Sequence, residues 1–266
     1  MNLYIMTRGR LRKQLTLATI PWEMRQRVFL VVGASEEAEH YELYGKTGAA
    51  QILTVPYTVT NYSQKFQWLL DNNEGKFVIM DDDLSFAYRE GAKLLHTTEP
   101  QKIMHMWSVV EDMLDDAPLV GIHPRQMGHT QPEPYVENGK IICIQAINKE
   151  LFPDPENMPR VDEFPILADV MLNCYLLSNG YHNAILTSYT QDHASCQAPG
   201  GCSVYRTTDM QRKAVERVAE LYGPHAQAVI KRPKRAKWMG DERVDLRVQW
   251  KRMYAEGLAR RMKNGI

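Results

Sequence analysis

The chain has 266 residues, of which 44% are apolar and 24% charged, and its formal net charge is zero. These values suit one large globular domain, or one domain with an appendage. No apolar run approaches the roughly 20 residues of a membrane helix, and the N-terminus lacks the pattern of a signal peptide. Four cysteines are too few for a disulfide scaffold at this length. We therefore expect a soluble, reduced protein of the cytoplasm.

The zero net charge hides an uneven distribution. Residues 231–266 contain twelve Lys or Arg and four Asp or Glu, a local charge of +8 that residues 1–230 balance. Trp238, Trp250 and Tyr254 are interleaved with these cations. Cations for phosphates and rings for stacking are typical of nucleic-acid binding, whereas an amphipathic helix that packs its aromatics on the body is the alternative. We predict a domain at 1–230 and a basic helical extension at 231–266, either packed on the domain or contacting DNA.

Strands alternate with helices over the first third of the chain. Apolar runs predict strands, and polar turns or cap residues precede the helices between them. The predicted strands are Leu3–Met6, Val28–Val32, Gln51–Val55 and Phe77–Met80, and the predicted helices are Leu11–Thr19, an acidic segment after Gly33, and a segment capped by Ser63. This alternation predicts a parallel sheet with right-handed crossovers.

The rest of the chain predicts a mixed sheet. Pro100 begins a helix, Leu119–Ile122 is a strand, and Asn138-Gly139 predicts a hairpin between two strands. Further predictions are an apolar helix from Pro165 to Asn179, a strand from Ala184, and a helix that Asp209 caps and Gly223 ends. The expected fold is a three-layer α/β, Rossmann-like arrangement whose central sheet is mixed but mostly parallel.

Three consecutive aspartates, Asp81, Asp82 and Asp83, follow the buried strand Phe77–Met80. Ligands of open α/β sheets collect at the carboxyl ends of strands. Adjacent carboxylates repel each other unless a cation or hydrogen-bond donors hold them, and Mg²⁺ or Mn²⁺ prefers such oxygen ligands together with substrate phosphates. The pattern favours a site for a cation and a diphosphate. In one assignment Asp83 binds the metal and Asp81 contacts the ribose or a water molecule; in the other the two aspartates exchange these roles. An acidic turn without a ligand is the alternative.

Two further positions carry candidate chemistry. Asp169 interrupts an apolar helix, where a desolvated carboxylate with a raised pKa suits a general base; an exposed stripe shared with Asn173 is the alternative. His193 offers an imidazole to a cation. A zinc site of His193, Cys196 and Cys202 competes with this interpretation. However, five residues separate the two cysteines, where structural zinc sites usually have two to four, and no fourth ligand is obvious.

Several motifs together resemble a known family. They are Thr7-Arg8-Gly9-Arg10, the helix with Lys65, Ile79-Met-Asp-Asp-Asp-Leu84, Gly121-x-His-Pro-Arg125-Gln126, the Asp169 helix, and Gly200-Gly201-Cys202 with Arg206-Thr207. Their order resembles that of glycosyltransferases with the GT-A fold, and among these most the TET-associated glycosyltransferases of bacteriophages. The resemblance covers about residues 2–210. A phage-encoded enzyme of this kind would work in the cytoplasm of a host cell.

The resemblance implies an activity and a set of roles. Such enzymes move a sugar from a UDP-sugar to the hydroxyl of 5-hydroxymethylcytosine in DNA, with Mn²⁺ or Mg²⁺. It implies Asp169 as the base of an inverting reaction, and Asp83 with His193 as metal ligands; His182 and His225 are further histidine candidates. The implied nucleotide-sugar contacts are Thr7, Arg8, Gly9, Arg10, Lys65, Asp81, Asp82, Arg125 and Gln126. The implied acceptor contacts are Gly200, Gly201 and Arg206.

Other functions fit parts of the same pattern. A nucleotidyltransferase would use the same strand-end aspartates and release pyrophosphate. A glycosyltransferase with a glycan or protein acceptor would leave the basic extension as a packing element. A zinc-dependent nucleic-acid-binding protein would use His193 and the cysteines without catalysis.

Overall fold

The computed structural model describes residues 1–128, 133–154, 160–193, 200–232 and 242–265. The strands are β1 (Asn2–Met6), β2 (Val28–Gly33), β3 (Gln51–Val55), β4 (Lys76–Asp81), β5 (Leu84–Glu90), β6 (Lys93–Thr97), β7 (Leu119–Pro124), β8 (Tyr135–Glu137), β9 (Ile144–Asn148), β10 (Asn183–His193), β11 (Ala226–Lys231) and β12 (Arg243–Val248). The helices are α1 (Leu15–Thr19), α2 (Glu37–His40), α3 (Tyr62–Asp71), α4 (Pro100–Met113), α5 (Arg125–Gly128), α6 (Ala168–Ser178), α7 (Thr208–Tyr222) and α8 (Trp250–Lys263). None of these helices combines the length and apolarity that crossing a membrane requires.

The described residues form one ten-stranded sheet in the order β3-β2-β1-β4-β9-β7-β10-β5-β6, with β8 paired to β10. The first four strands are mutually parallel. β9 is antiparallel to both β4 and β7, so β7 and its parallel neighbour β10 point the same way as β4. The expected fold class, a mixed but mostly parallel α/β sheet covered by helices, is confirmed.

Two apolar layers hold the sheet between the helices. Side chains alternate along each strand, so Ile5 and Met80 face one layer while Tyr4 and Ile79 face the other. The first layer includes the apolar stripe of α4, and the second includes those of α3 and α6. Each fully buried Leu, Ile or Phe side chain contributes about 1.5–3 kcal/mol relative to exposure. This packing fixes the strand ends from which the candidate site is built.

Several local predictions are wrong in informative ways. The first helix spans only Leu15–Thr19, because residues 7–13 form a loop around the strand ends. Asn61 rather than Ser63 caps α3, and Thr207 rather than Asp209 caps α7; each cap side chain accepts a hydrogen bond from the backbone N–H three residues on. In both cases a side-chain oxygen two residues earlier in the sequence is better placed to accept this hydrogen bond than that of the predicted cap residue.

The predicted hairpin at Asn138-Gly139 is not formed. Asn138 does adopt a left-handed turn, with φ of 55°. However, β8 pairs with β10, while β9 pairs with β4 and β7. Tertiary pairing therefore separates two strands that the turn signal joins. The strands β5 and β6, which follow the aspartates, were not predicted.

The extension contains more than a helix. β11 spans Ala226–Lys231, across the boundary drawn at 230, and pairs with β12 as an antiparallel ribbon that α7 covers. α8 packs closely on α6: a Cβ added at Gly257 would lie 2.5 Å from the Leu177 carbonyl oxygen. Met253 is buried, and Arg260 donates to the Ser178 carbonyl at 2.8 Å. The described part of the extension is thus packed on the domain, and Trp238 lies outside the described residues.

Candidate active site at the carboxyl ends of the strands

The candidate site lies where the strand order changes direction. The chain runs outward from β1 through β2 to β3, then returns to place β4 on the other side of β1. Such a switch point leaves a crevice beyond the carboxyl ends of the strands. The loop Thr7–Arg10 follows β1 there, Asp81 ends β4, and Asp82 and Asp83 follow it. Two candidate motifs, 70 residues apart in the sequence, therefore meet at one edge of the sheet.

Thr16 of α1 holds the backbone of the aspartate turn. Its hydroxyl donates to the Asp81 carbonyl at 2.6 Å and accepts from the Leu84 N–H at 2.8 Å. Its own N–H donates to the Asp82 carbonyl at 3.1 Å. Thr16 is fully buried. No motif in the sequence pointed to this residue.

Arg10 neutralises part of the carboxylate cluster. Its guanidinium lies 2.5 Å from an Asp82 oxygen and 2.9 Å from an Asp83 oxygen, and all three side chains are largely buried. Burial raises the pKa of Asp82, against the lowering effects of a hydrogen bond from the Thr7 hydroxyl and of the Arg10 charge. Asp82 therefore serves to tie the β1 loop to the turn after β4.

Asp81 is the last residue of β4. Desolvation raises the pKa of Asp81 well above its ordinary value, and the charges of Asp83, Asp82 and Asp169 raise it further. The Cys143 thiol donates a hydrogen bond to Asp81 that lowers this pKa. Cys143 itself has a left-handed backbone, with φ of 65°, and its carbonyl accepts from the Asp81 N–H at 3.0 Å. Asp81 thus lacks a cationic side chain among these contacts and suits a cation or a ligand donor.

Asp169 lies within α6 as predicted, but in its first turn, because the helix begins later than the prediction from Pro165. The helix begins at Ala168, after Leu167 in a left-handed conformation with φ of 70°. Desolvation raises the pKa of Asp169, while the charge of Lys140, backbone N–H groups of the helix terminus and the charge of Arg206 act to lower it. The helix N-terminus favours a carboxylate. A partly exposed carboxylate whose pKa is raised by desolvation and lowered by nearby positive charge suits a general base.

The loop after β1 is held from several sides. The Gly9 N–H donates to the Glu36 carboxylate at 2.6 Å, and Arg8 donates to the Thr60 carbonyl and lies 5.0 Å from the ring centroid of Tyr205. Glu36 follows β2, a position from which acidic residues bind ribose hydroxyls in dinucleotide-binding folds. Glu36 is not among the predicted contacts, although an acidic residue just after the second strand is a usable signal.

Lys65 lies beneath this loop. Its ammonium donates to the carbonyls of Thr7 and Val31, at 2.8 and 3.1 Å, and the side chain is 5% exposed. Desolvation lowers the pKa of Lys65 to about 8. In this arrangement Lys65 joins the ends of β1 and β2, and its predicted phosphate or ribose contact remains a prediction.

The predicted acceptor glycines lie against the β1 loop. The Gly201 N–H donates to the Arg8 carbonyl at 2.9 Å, and a Cβ at Gly200 would lie 2.5 Å from the Arg10 Cγ. Arg206, also predicted on the acceptor side, donates to Gln211 at 2.8 Å and lies near enough to Asp169 to affect its pKa. Gly200 and Gly201 therefore shape the donor side of the crevice, while Arg206 is near the candidate base.

Among the candidate histidines, His193 ends β10, and its backbone pairs with Leu84, the residue after Asp83. His182 precedes the other end of β10, and His225 pairs with Glu256 of α8 at 3.1 Å. The topology thus favours His193 as the histidine beside the triplet.

Arg125 and Gln126 begin α5, after β7. Arg125 donates to Asp192 at 3.1 Å and contacts His96 at 2.7 Å, while Gln126 is exposed. They share the carboxyl edge of the sheet with the aspartates but do not touch them in the described contacts. A role next to the sugar remains a prediction.

The donor set fits a hard divalent cation. Oxygen ligands dominate, and the crowding of Asp81 with Asp83 and Asp82 is of the kind that a cation relieves. Over the described ranges, no three His, Cys, Asp or Glu side chains converge on a preformed metal centre. Of the alternative zinc ligands, Cys196 lies outside the described residues, and Cys202 accepts a hydrogen bond from the Tyr205 hydroxyl at 3.3 Å.

Comparison with known proteins identifies a distant relative. The chain is 22% identical over 236 residues to the beta-glucosyl-HMC-alpha-glucosyl-transferase of Enterobacteria phage T2, covering 82% of this chain and 81% of the relative. The chain thus resembles a bacteriophage glucosyltransferase. This agreement over most of both chains confirms the resemblance that the motifs indicated. No protein-family model matches the chain.

A solved structure also aligns with much of the chain. It is the inositol-1-phosphate CTP transferase from T. maritima, with 11% identity, a TM-score of 0.43, and coverage of 82% of this chain and 96% of that chain. The superposition is loose, so the fold assignment rests on the strand order given above.

Proposed function

We propose that this chain is a metal-dependent glycosyltransferase that moves a sugar from a UDP-sugar to the hydroxyl of 5-hydroxymethylcytosine in DNA, with inversion. The observation that carries the proposal is the meeting of the loop after β1 with the strand-end aspartates, where the Arg10 guanidinium lies 2.5 Å from Asp82 and 2.9 Å from Asp83 and the charge of Asp169 acts on Asp81. This crevice would combine a diphosphate site with a base. The T2 relative supports the reaction class but not the inversion, since its name describes the transfer of an alpha-glucosyl group to beta-glucosyl-HMC.

The donor side would bind the nucleotide diphosphate. Arg8 and Arg10 supply cations at the switch point, and guanidinium groups suit phosphate oxygens. Glu36 suits the hydrogen-bond donors of the nucleoside. A divalent cation held by Asp83 and His193 together with phosphate oxygens of the donor would neutralise charge on the leaving diphosphate.

The acceptor side would activate the hydroxyl. Asp169 takes the proton as the acceptor oxygen bonds to the anomeric carbon and the bond from that carbon to the diphosphate breaks. The transition state is oxocarbenium-like, as in glycoside hydrolysis. Lys140 and Arg206, which lower the pKa of Asp169, place positive charge where a DNA strand would bring phosphates.

The basic extension would contribute to DNA affinity. Lys231 and Arg232 are exposed at the end of β11, and Lys251 and Arg252 are exposed at the start of α8. The ion pairs of Lys231 with Asp245 and of Arg232 with Glu242 are solvent-accessible and therefore weak. Breaking these ion pairs would therefore cost little free energy, and Lys231 and Arg232 could bind DNA phosphates instead.

A transfer assay tests the proposal. Purified protein with Mn²⁺ or Mg²⁺ and a panel of UDP-sugars is incubated with unmodified DNA, DNA carrying 5-hydroxymethylcytosine, and DNA whose hydroxymethylcytosine already carries β-linked glucose. Nucleoside mass spectrometry reads the product. We expect a hexose on hydroxymethylcytosine and release of UDP.

Other outcomes identify the alternatives. Transfer only to the glucosylated DNA would assign the acceptor in the T2 relative's name to this chain. Pyrophosphate release would indicate a nucleotidyltransferase, and transfer only to glycans or proteins would exclude the DNA acceptor. Because the common UDP-hexoses are α-linked, an α-linked product would overturn inversion and the role of Asp169 as base.

A further inference from the structure

We infer that Thr16 is a positioning residue of the donor and cation site, which rests on the proposed donor chemistry. Asp81, Asp82 and Asp83 lie on a turn between β4 and β5. Thr16 is the residue that contacts both ends and the centre of this turn: the Asp81 carbonyl, the Asp82 carbonyl and the Leu84 N–H. All three bonds are directed to backbone groups, so they fix the path of the chain and leave the carboxylates free to bind.

The physical requirement is precise placement of like charges. Asp81, Asp82 and Asp83 repel one another, and a turn that carries them opens unless its backbone is restrained. Arg10 restrains the side chains of Asp82 and Asp83, but a guanidinium that also binds a donor diphosphate cannot serve as a permanent clamp. Thr16 is fully buried, and its contacts do not depend on the ligand.

The residue type suits this role. A threonine hydroxyl donates one hydrogen bond and accepts another, which are the two that Thr16 makes across the turn. Its branched side chain also restricts χ1. Thr16 belongs to the short helix α1, whose neighbour Leu17 is buried in the first apolar layer. The position of α1 in the core therefore determines where the aspartates lie.

The inference predicts a loss of donor binding without loss of the fold. Thr16→Val keeps the shape but removes the hydroxyl's hydrogen bonds to the Asp81 carbonyl and the Leu84 N–H. We expect Mn²⁺-dependent UDP binding, measured by calorimetry, to weaken roughly tenfold, and KM for the donor to rise more than kcat falls. Thr16→Ser should bind UDP nearly as the wild type does.

Thr97→Val is the matched control, because Thr97 is also buried and its hydroxyl also accepts a backbone N–H, that of Glu99 at 3.1 Å. We expect this variant to lower the melting temperature and leave UDP binding unchanged. If Thr16→Val does not fold, comparing Thr16→Ala with Thr16→Ser measures the effect of the same hydroxyl. Wild-type UDP affinity in Thr16→Val or Thr16→Ala, or an equal loss in Thr97→Val, overturns the inference.

The binding measurement uses no acceptor, so it separates this inference from the proposed function. Protein that binds UDP through Mn²⁺ and loses that binding in Thr16→Val supports the inference even if no sugar reaches DNA. A wild-type chain that binds no UDP in the presence of Mn²⁺ overturns the inference together with the donor side of the proposal.

Discussion

The two sides of the crevice are built differently. On the donor side, the loop after β1 and the turn after β4 are joined by direct contacts: Arg10 to Asp82 and Asp83, Thr16 to the turn backbone, and Lys65 to two strand ends. On the acceptor side, Asp169 rests on its own helix terminus, and Lys140 and Arg206 act on it electrostatically. The proposed donor side is therefore held by direct contacts within the chain, whereas the proposed base is held mainly by its own helix and by charges nearby.

The largest effect should come from Asp83. Asp83→Ala removes a carboxylate that shares Arg10 with Asp82 and is proposed to hold the cation. We expect turnover to fall on the order of 10⁴-fold, because several kcal/mol of leaving-group stabilisation are lost. UDP binding should lose its dependence on Mn²⁺. Asp115→Ala, which removes a surface carboxylate paired with Lys76, is the control, and full Mn²⁺-stimulated activity in Asp83→Ala would reject this site.

The second test addresses Asp169. Asp169→Asn should lose roughly 10²–10⁴-fold in kcat and keep UDP affinity, because the base acts on the acceptor. Since the pKa of Asp169 is raised and the base must be ionised, wild-type activity should rise with pH through that raised value. This limb should disappear in the variant. Asp209→Asn, in the first turn of α7, is the control for the loss of a carboxylate at a helix N-terminus. Near-normal turnover of Asp169→Asn would show that Asp169 is not the base.

The third test concerns the buried Lys65. Its pKa falls from 10.5 to about 8 in the folded chain. The unfolded state therefore binds more protons at Lys65 between those values, so Lys65 should add about 3 kcal/mol to the free energy of unfolding as pH rises from 8 towards 10.5. Buried Cys and Tyr side chains with raised pKa values, such as Cys143 and Tyr62, act in the opposite direction over the same range, so the measurement is the difference between proteins. By urea unfolding, the wild type should gain about 3 kcal/mol relative to Lys65→Met over this range, and the surface control Lys46→Met should follow the wild type. The same pH dependence in Lys65→Met and the wild type would place the titration elsewhere.

The smallest effect should be that of the extension. Replacing Lys231 and Arg232 by Gln should weaken DNA binding and reduce the slope of log K against log salt by roughly one to two, about 0.9 for each DNA phosphate that the variant no longer neutralises. Donor KM should not change. Replacing Lys46, an exposed cation paired with Glu42, provides the comparison. An unchanged slope would show that these two residues serve only the packing of the ribbon.

The position of two motifs at one edge of the sheet was predictable because its signals are local. An apolar strand followed by Asp81–Asp83, and a strand followed by Thr7–Arg10, place both motifs at the carboxyl edge of a parallel sheet. Which groups those residues touch was not predictable. Gly200 and Gly201 resemble a separate acceptor loop in the sequence but pack on Arg8 and Arg10, because loops distant along the chain converge at the switch point.

Local sequence was sufficient to predict the α/β alternation, the aspartate turn, the basic character of residues 231–266 and the resemblance to glycosyltransferases, since periodicity, turn chemistry and charge are local properties. The pairing of β8 and β9, the place of Asp169 at the start of α6, and the hold of Thr16 on the turn became visible only in the folded chain. These features depend on hydrogen bonds and burial between segments far apart in the sequence, which packing brings together.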